Sequence, residues 1–178
     1  MAPKPPASPK VRALQWLAQR EHSRDELRAK LLRLMRTPRA TVEAPEGGDR
    51  DEADLAAEVD TLLDWLSTRG YLSQARFVES RVHAREKRFG NLRIERELQQ
   101  HGVTLDADAR AALKASEYQR AREVWHRKYA AIGAADAAAR VRQMRFLVGR
   151  GFSPEVVRRV LRDAAAPGER ADTVDTEP

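Results

Sequence analysis

Arginine is the residue type through which this chain can do most chemistry. Arg81, Arg85 and Arg88 follow one another at steps of four and three, the spacing that sets side chains on one face of a helix. Arg93 and Arg96 continue the charge on the next segment, and Arg158, Arg159 and Arg162 repeat it near the end. A guanidinium is planar, stays protonated and offers paired N–H donors that match a carboxylate or a phosphate. Such rows suit DNA phosphates or the acidic residues of a protein filament, and the residue types leave both open. Other chemistries lack their parts. His22, His83, His101 and His126 stand far apart, and the chain has no cysteine, so neither a zinc-ligand spacing nor a thiolate nucleophile occurs. Asp106 and Asp108, next to Thr104, read as acids of a helix start. Gly47-Gly48, the only glycine pair, lies among acids, the wrong setting for a phosphate cradle. The residues therefore imply a binding protein with no catalytic site, no metal and no cofactor.

The charge distribution sharpens this. The net charge of +6 and pI near 10 hide two acidic segments. Residues 43–60 hold Glu43, Glu46, Asp49, Asp51, Glu52, Asp54, Glu58 and Asp60 against Arg50, and the stretch from Asp163 to Pro178 has five acids against Arg170. Between them, Arg81–Arg96 carries six Lys/Arg against Glu86 and Glu95. Such asymmetry favours a polyanionic partner: single- or double-stranded nucleic acid, a nucleoprotein, or an acidic protein face.

These arginines must be carried by helices, because apolar residues recur at steps of three and four and strict alternation is absent. The stripes are Val11/Leu14/Leu17, Leu27/Leu31/Leu34, Leu55/Val59/Leu62/Leu63/Leu66, Val78/Val82, Ile94/Leu98, Tyr118/Ala121/Trp125/Tyr129, Val141/Met144/Val148 and Val157/Val160/Leu161. A weaker segment over Asp108–Leu113 brings the expected number to about nine. Trp16, Trp65, Trp125, Tyr118, Tyr129 and Phe146 fall within stripes and are expected mostly in the core. The segment 37–50, with Pro38, Pro45, Gly47 and Gly48, interrupts the pattern as a flexible acidic insert. Residues 1–9 and 164–178 are expected to be disordered tails around a helical domain over 10–163. No apolar run approaches the ~20 residues that span a bilayer, so no membrane contact is expected and the cytoplasm is the expected location.

One short pattern returns four times: Leu17-Ala-Gln-Arg20-Glu21-His22, Leu66-Ser-Thr-Arg69-Gly70-Tyr71, Leu98-Gln-Gln-His101-Gly102-Val103 and Leu147-Val-Gly-Arg150-Gly151-Phe152. Gly70, Gly102 and Gly151 can take the left-handed conformation that closes a helix, which costs other residues roughly 1–2 kcal/mol. The apolar residue that follows can fold back on the leucine. Glu21 cannot serve this way, so the first copy must close differently. Ser23, Ser73 and Ser153 then offer N-caps, with Thr104 or Asp106 in the third copy. A repeated helix–turn–helix unit stacks into an array, each unit burying its neighbour's apolar face.

The same residues resemble a known family. Leu17-Ala-Gln-Arg20-Glu21-His22-Ser23-Arg24-Asp25-Glu26-Leu27 looks like the opening signature of the RecX proteins, and Arg69-Gly70-Tyr71-Leu72-Ser73-Gln74-Ala75-Arg76-Phe77 is similar to their second block. The stretch Phe89-Gly90-Asn91-Leu92-Arg93-Ile94 through Gly102-Val103 resembles the third and most specific block, and Phe146–Ser153 the fourth. Two departures stand out: the family usually carries acids where Ser73 and Gln74 stand, and the insert is longer than expected. The resemblance implies an all-α fold of tandem three-helix repeats in an elongated, curved array. It implies a monomer that lodges in the RecA nucleoprotein filament and inhibits the recombinase, ATPase and co-protease activities of RecA in DNA repair and the SOS response. Some family members bind DNA directly. A DNA-binding helical module acting without RecA is the alternative.

Overall fold

A computed structural model describes residues 8–36, 51–130 and 136–165, and those residues form helices and turns only. Eight helices follow in order: α1 Pro9–Gln19, α2 Arg24–Arg36, α3 Glu52–Thr68, α4 Gln74–Glu86, α5 Asn91–Gln100, α6 Ala107–Tyr129, α7 Ala137–Gly149 and α8 Pro154–Asp163. The protein is all-α, as the periodicity predicts. The expected ninth helix is absent among the described residues because Asp108–Leu113 and Tyr118–Tyr129 belong to one continuous helix. Nothing in the intervening Lys114-Ala115-Ser116-Glu117 breaks a helix, and the Asp106 carboxylate caps its start by accepting the Ala109 N–H. Ser8 and Pro9, assigned to the tail on composition, cap and open α1, the Ser8 hydroxyl accepting from Val11 N–H at 3.3 Å. The insert 37–50 and the rest of both tails lie outside the described residues.

The turns follow the local chemistry. Gly70, Gly102 and Gly151 have φ of 72°, 69° and 82°. Each turn makes the paired Schellman bonds: Tyr71 N–H to Leu66 O at 2.9 Å, Val103 N–H to Leu98 O at 3.0 Å and Phe152 N–H to Leu147 O at 3.3 Å, with the glycine N–H on the residue three back. Val103 and Phe152 are buried beside their leucines. Tyr71 is not: it stays 49% exposed, stacked on Trp65, and Leu72 takes the inward place. The first copy ends on Arg20 in extended conformation, as its lack of glycine requires. Ser23 and Ser73 cap through their hydroxyls at 3.0 and 3.3 Å. Ser153 occupies the N-cap of α8 but makes no cap bond, for its hydroxyl is drawn to Glu117.

The chain divides into two compact units. The first comprises the chain up to His83 with Glu97–Thr104, and its core holds Ala13, Leu27, Leu31, Leu32, Val59, Leu63, Leu66 and Leu72. Arg28 braces α2 against α3 with two parallel bonds to Asp60, at 2.8 and 3.0 Å. The second unit comprises Ala84–Arg96 and the chain from Leu105, around Ala121, Val124, Leu147, Phe152, Val157, Val160 and Leu161. Trp16 and Trp65 pack at the margin of the first core, and Tyr118, Trp125 and Phe146 at that of the second.

The stripe expected on α7 points the other way. Its buried residues are Ala139, Gln143 and Leu147, whereas Val141, Met144 and Val148 are 44%, 42% and 50% exposed. Gln143 is drawn inward because its side-chain oxygen accepts the Trp125 indole N–H at 3.0 Å.

Candidate functional site

The second unit gathers its charge around two phenylalanine rings. Two buried side chains of α6 set the geometry. Arg120 is 8% exposed, and its guanidinium donates to Phe89 O at 2.9 Å, Glu86 O at 3.3 Å, Leu113 O at 2.9 Å and the Asn91 side-chain oxygen. It thereby grips the turn between α4 and α5. Burial lowers the Arg120 pKa from its ordinary value, opposed by the charges of Glu117 and Glu86. Glu117, 2% exposed, accepts Asn91 N–H and Ser153 N–H on one oxygen, each at 3.0 Å, and the Ser153 hydroxyl on the other at 2.9 Å. One helix turn of α6 therefore holds both the 87–91 turn and the 150–153 turn.

The two turns also touch directly. Gly90 N–H donates to Arg150 O at 2.9 Å and Leu92 N–H to Gly151 O at 3.1 Å. A Cβ on Gly90 would lie 2.2 Å from Phe152 N, so only glycine allows this approach. The approach brings Phe89 near Phe146, with Arg150 shared between the rings at 5.9 and 4.6 Å from their centroids.

Cations cover both rings. Arg93 lies 4.2 Å from the Phe89 centroid, Arg88 5.8 Å and Arg85 5.9 Å. Lys128 lies 4.0 Å from Phe146, and Tyr129 meets that ring edge-on at 5.4 Å. Each ring face attracts a cation by roughly 0.5–1 kcal/mol at an exposed site. Arg150 also donates to Arg88 O at 3.2 Å. Arg85, Arg88, Arg93, Lys128 and Arg150 thus form one cationic cluster with Phe89 and Phe146, and Arg88, Arg93 and Lys128 are exposed.

The expected arginine rows are redistributed. Arg81, Arg85 and Arg88 do not share one helix: α4 ends at Glu86, because the carbonyls that would continue it are taken by Arg120, and Arg88 lies in the following turn. Arg81 belongs to the first unit, where its guanidinium meets His101 Nε2 at 3.2 Å and lies 5.5 Å from the Phe77 centroid. Arg96 is exposed on α5. On α8, Arg158 is exposed, Arg159 lies 4.1 Å from the Tyr118 centroid and 3.8 Å from Asp163, and Arg162 lies 3.7 Å from the same carboxylate. Asp163 thus offsets part of that row. Gly70, Gly102 and Gly151 keep their structural role, and Gly151 also lets the Arg93 backbone approach.

Sequence spacing missed Lys128, Arg150, Glu117 and Arg120. The available signal was Phe89-Gly90 beside the Arg150-Gly151-Phe152 turn, two glycine turns each flanked by arginine and phenylalanine. Among the described residues no group of His, Asp and Glu is placed to hold a metal ion, and no helix is long and apolar enough to cross a membrane.

Helical turns closed by glycine and a cationic surface held by α6 define a helical-repeat protein built to bind rather than to transform. The family model described as "RecX, third three-helix domain" matches residues 115–161, which span the latter part of α6, all of α7 and most of α8. The chain is 47% identical to the regulatory protein RecX of Leptothrix cholodnii, over 89% of this chain and 90% of that one. It is 43% identical to that of Ralstonia nicotianae, over 92% of each, and 38% identical to that of Ralstonia pickettii, over 97% and 98%. The chain belongs to the RecX family of regulatory proteins.

Proposed function

We propose that this protein binds the RecA recombinase on its DNA filament and restrains it, lowering its ATPase, strand-exchange and co-protease activities in DNA repair and the SOS response. It acts in the cytoplasm as a monomer, without catalytic activity or cofactor of its own. The observation that carries this reading is the cationic cluster of Arg85, Arg88, Arg93, Lys128 and Arg150 over Phe89 and Phe146. Two exposed like charges ~8 Å apart repel by about 0.5 kcal/mol in water. An anion seated among them turns several such repulsions into attractions. A filament supplies that charge as DNA phosphate or as carboxylate.

The test reverses Arg88, Arg93 and Lys128 to glutamate, leaving Arg81 and Arg150 in their internal contacts. The parent should suppress RecA's DNA-dependent ATPase, and the triple variant should need roughly tenfold more protein for the same suppression, a gap that narrows as salt rises. A parallel reversal at Arg158, Arg159 and Arg162 should have a smaller effect, because Asp163 already offsets that row. If the first triple variant folds and suppresses as the parent does, the cluster is only a solvated surface.

The density of cations at the cluster also favours a second reading, a DNA-binding module that works without RecA. Its mark would be tight binding to bare single-stranded DNA, falling steeply with salt, with RecA's ATPase untouched.

A further inference from the structure

The outward face of α7 is more apolar than its inward face. Inward lie Ala139, Gln143 and Leu147; outward, on successive turns, lie Val141, Met144 and Val148, each more than 40% exposed. A single exposed apolar residue is ordinary, but three in one stripe form a patch that water solvates poorly. The stripe has a charged border of one sign. On helical spacing Arg140 falls to one side and Arg142 and Arg145 to the other, all three are exposed, and α7 contains no acid. The nearest acid in the chain, Asp136, is occupied as the α7 N-cap.

We infer that the Val141–Met144–Val148 face of α7 is a docking ridge for a protein surface that offers an apolar furrow rimmed by carboxylates. DNA is the wrong occupant for this face, because phosphates would pair with the arginines and leave the valines and methionine in water. A carboxylate-rimmed apolar furrow satisfies both at once: the stripe loses its water, and the arginines gain bidentate partners at the rim. This ridge consists of different residues from the cationic cluster, so protein contact and phosphate contact fall to different surfaces of the same unit. The inference rests on the regulatory reading above, in which the protein partner is RecA.

The experiment replaces Val141, Met144 and Val148 by glutamine, which keeps helix propensity and removes the apolar stripe. Capture of RecA assembled on single-stranded DNA should weaken by about tenfold or more, as for a central apolar anchor, while binding to a bare oligonucleotide stays at the parent's level. Arg142→Glu with Arg145→Glu should weaken capture in the same assay. A helical spectrum and melting temperature equal to the parent's exclude misfolding. If misfolding intervenes, the exposed Arg142/Arg145 variant decides alone. If the parent captures RecA and the glutamine variant captures it equally, the ridge is not the contact and the inference falls while the regulatory reading stands. If the parent itself leaves RecA untouched, both fall. Loss of bare-DNA binding in the glutamine variant, self-association of the parent that the variant abolishes, or binding to anionic lipid vesicles that the variant abolishes would each overturn the assignment to a carboxylate-rimmed partner.

Discussion

Replacing Gly90 by alanine adds one methyl group where two backbone turns meet. Its Cβ would lie 2.2 Å from Phe152 N and 2.3 Å from both Gly151 O and Phe152 Cα. These atoms are backbone, so no rotamer change relieves the overlap, and the turns must part by about 1.2 Å to restore ordinary contact. That movement breaks the bonds from Gly90 N–H to Arg150 O and from Leu92 N–H to Gly151 O. Each such bond contributes about 1 kcal/mol net, and forcing a methyl group into packed surroundings costs about 1–3 kcal/mol. The expected loss is therefore about 3–5 kcal/mol, a large share of the roughly 5–15 kcal/mol that holds a typical domain. At about 2–4 °C per kcal/mol for a chain of this size, the melting temperature should fall by about 6–20 °C. Circular dichroism melting checks this, with Gly149→Ala as control. A Cβ at Gly149 meets nothing within 4 Å and the position ends α7, so that variant should melt at or slightly above the parent. The argument is refuted if Gly90→Ala melts within about 1 °C of the parent, the noise of the assay being well below the smallest shift expected. The same variant should loosen the cationic cluster, because the Gly90–Arg150 bond sets Phe89 beside Arg150.

Two further outcomes follow from buried polar groups. Replacing Arg120 by methionine should destabilise the protein by roughly 3–5 kcal/mol in urea melts, because Glu117 stays buried without its countercharge and the carbonyls of Phe89 and Leu113 lose their donor; a loss under about 1 kcal/mol would refute this. His22, 1% exposed, has its pKa lowered from the ordinary value, chiefly by burial, with Arg20 and Lys30 also lowering it and the Arg20 carbonyl bond and Glu26 opposing. Its Nδ1 faces Arg20 O at 2.9 Å and its Nε2 faces Lys30 Nζ at 2.9 Å, an arrangement that fits the neutral ring with the proton on Nδ1. The unfolded chain therefore takes up a proton more readily near pH 6.5, so His22 contributes stability above that pH, and the contribution is lost as pH falls toward the folded value. Melts from pH 7.5 down to 5 should show this decline, and His22→Gln should flatten it; equal slopes in parent and variant would refute the assignment.

The sequence by itself determined what depends on neighbours within a few residues. The helix stripes, the serine and aspartate caps and the left-handed Gly70, Gly102 and Gly151 are all set by bonds that span three to five positions, so spacing alone reveals them. The single α6 helix was misjudged only because its apolar stripe weakens at Lys114–Glu117, whereas a helix needs no stripe where nothing breaks it. Tertiary structure decided what depends on contacts distant in sequence. Glu117 and Arg120 look like ordinary surface residues of a helix until the 87–91 and 150–153 turns come to them and exclude water. Arg88 leaves its expected row because Arg120 claims the carbonyls at the end of α4. Whether Val141 or Gln143 faces inward was undetermined by periodicity, since both belong to helical stripes. The Trp125 indole settles it, because a buried N–H needs an acceptor and Gln143 is the side chain on α7 that supplies one.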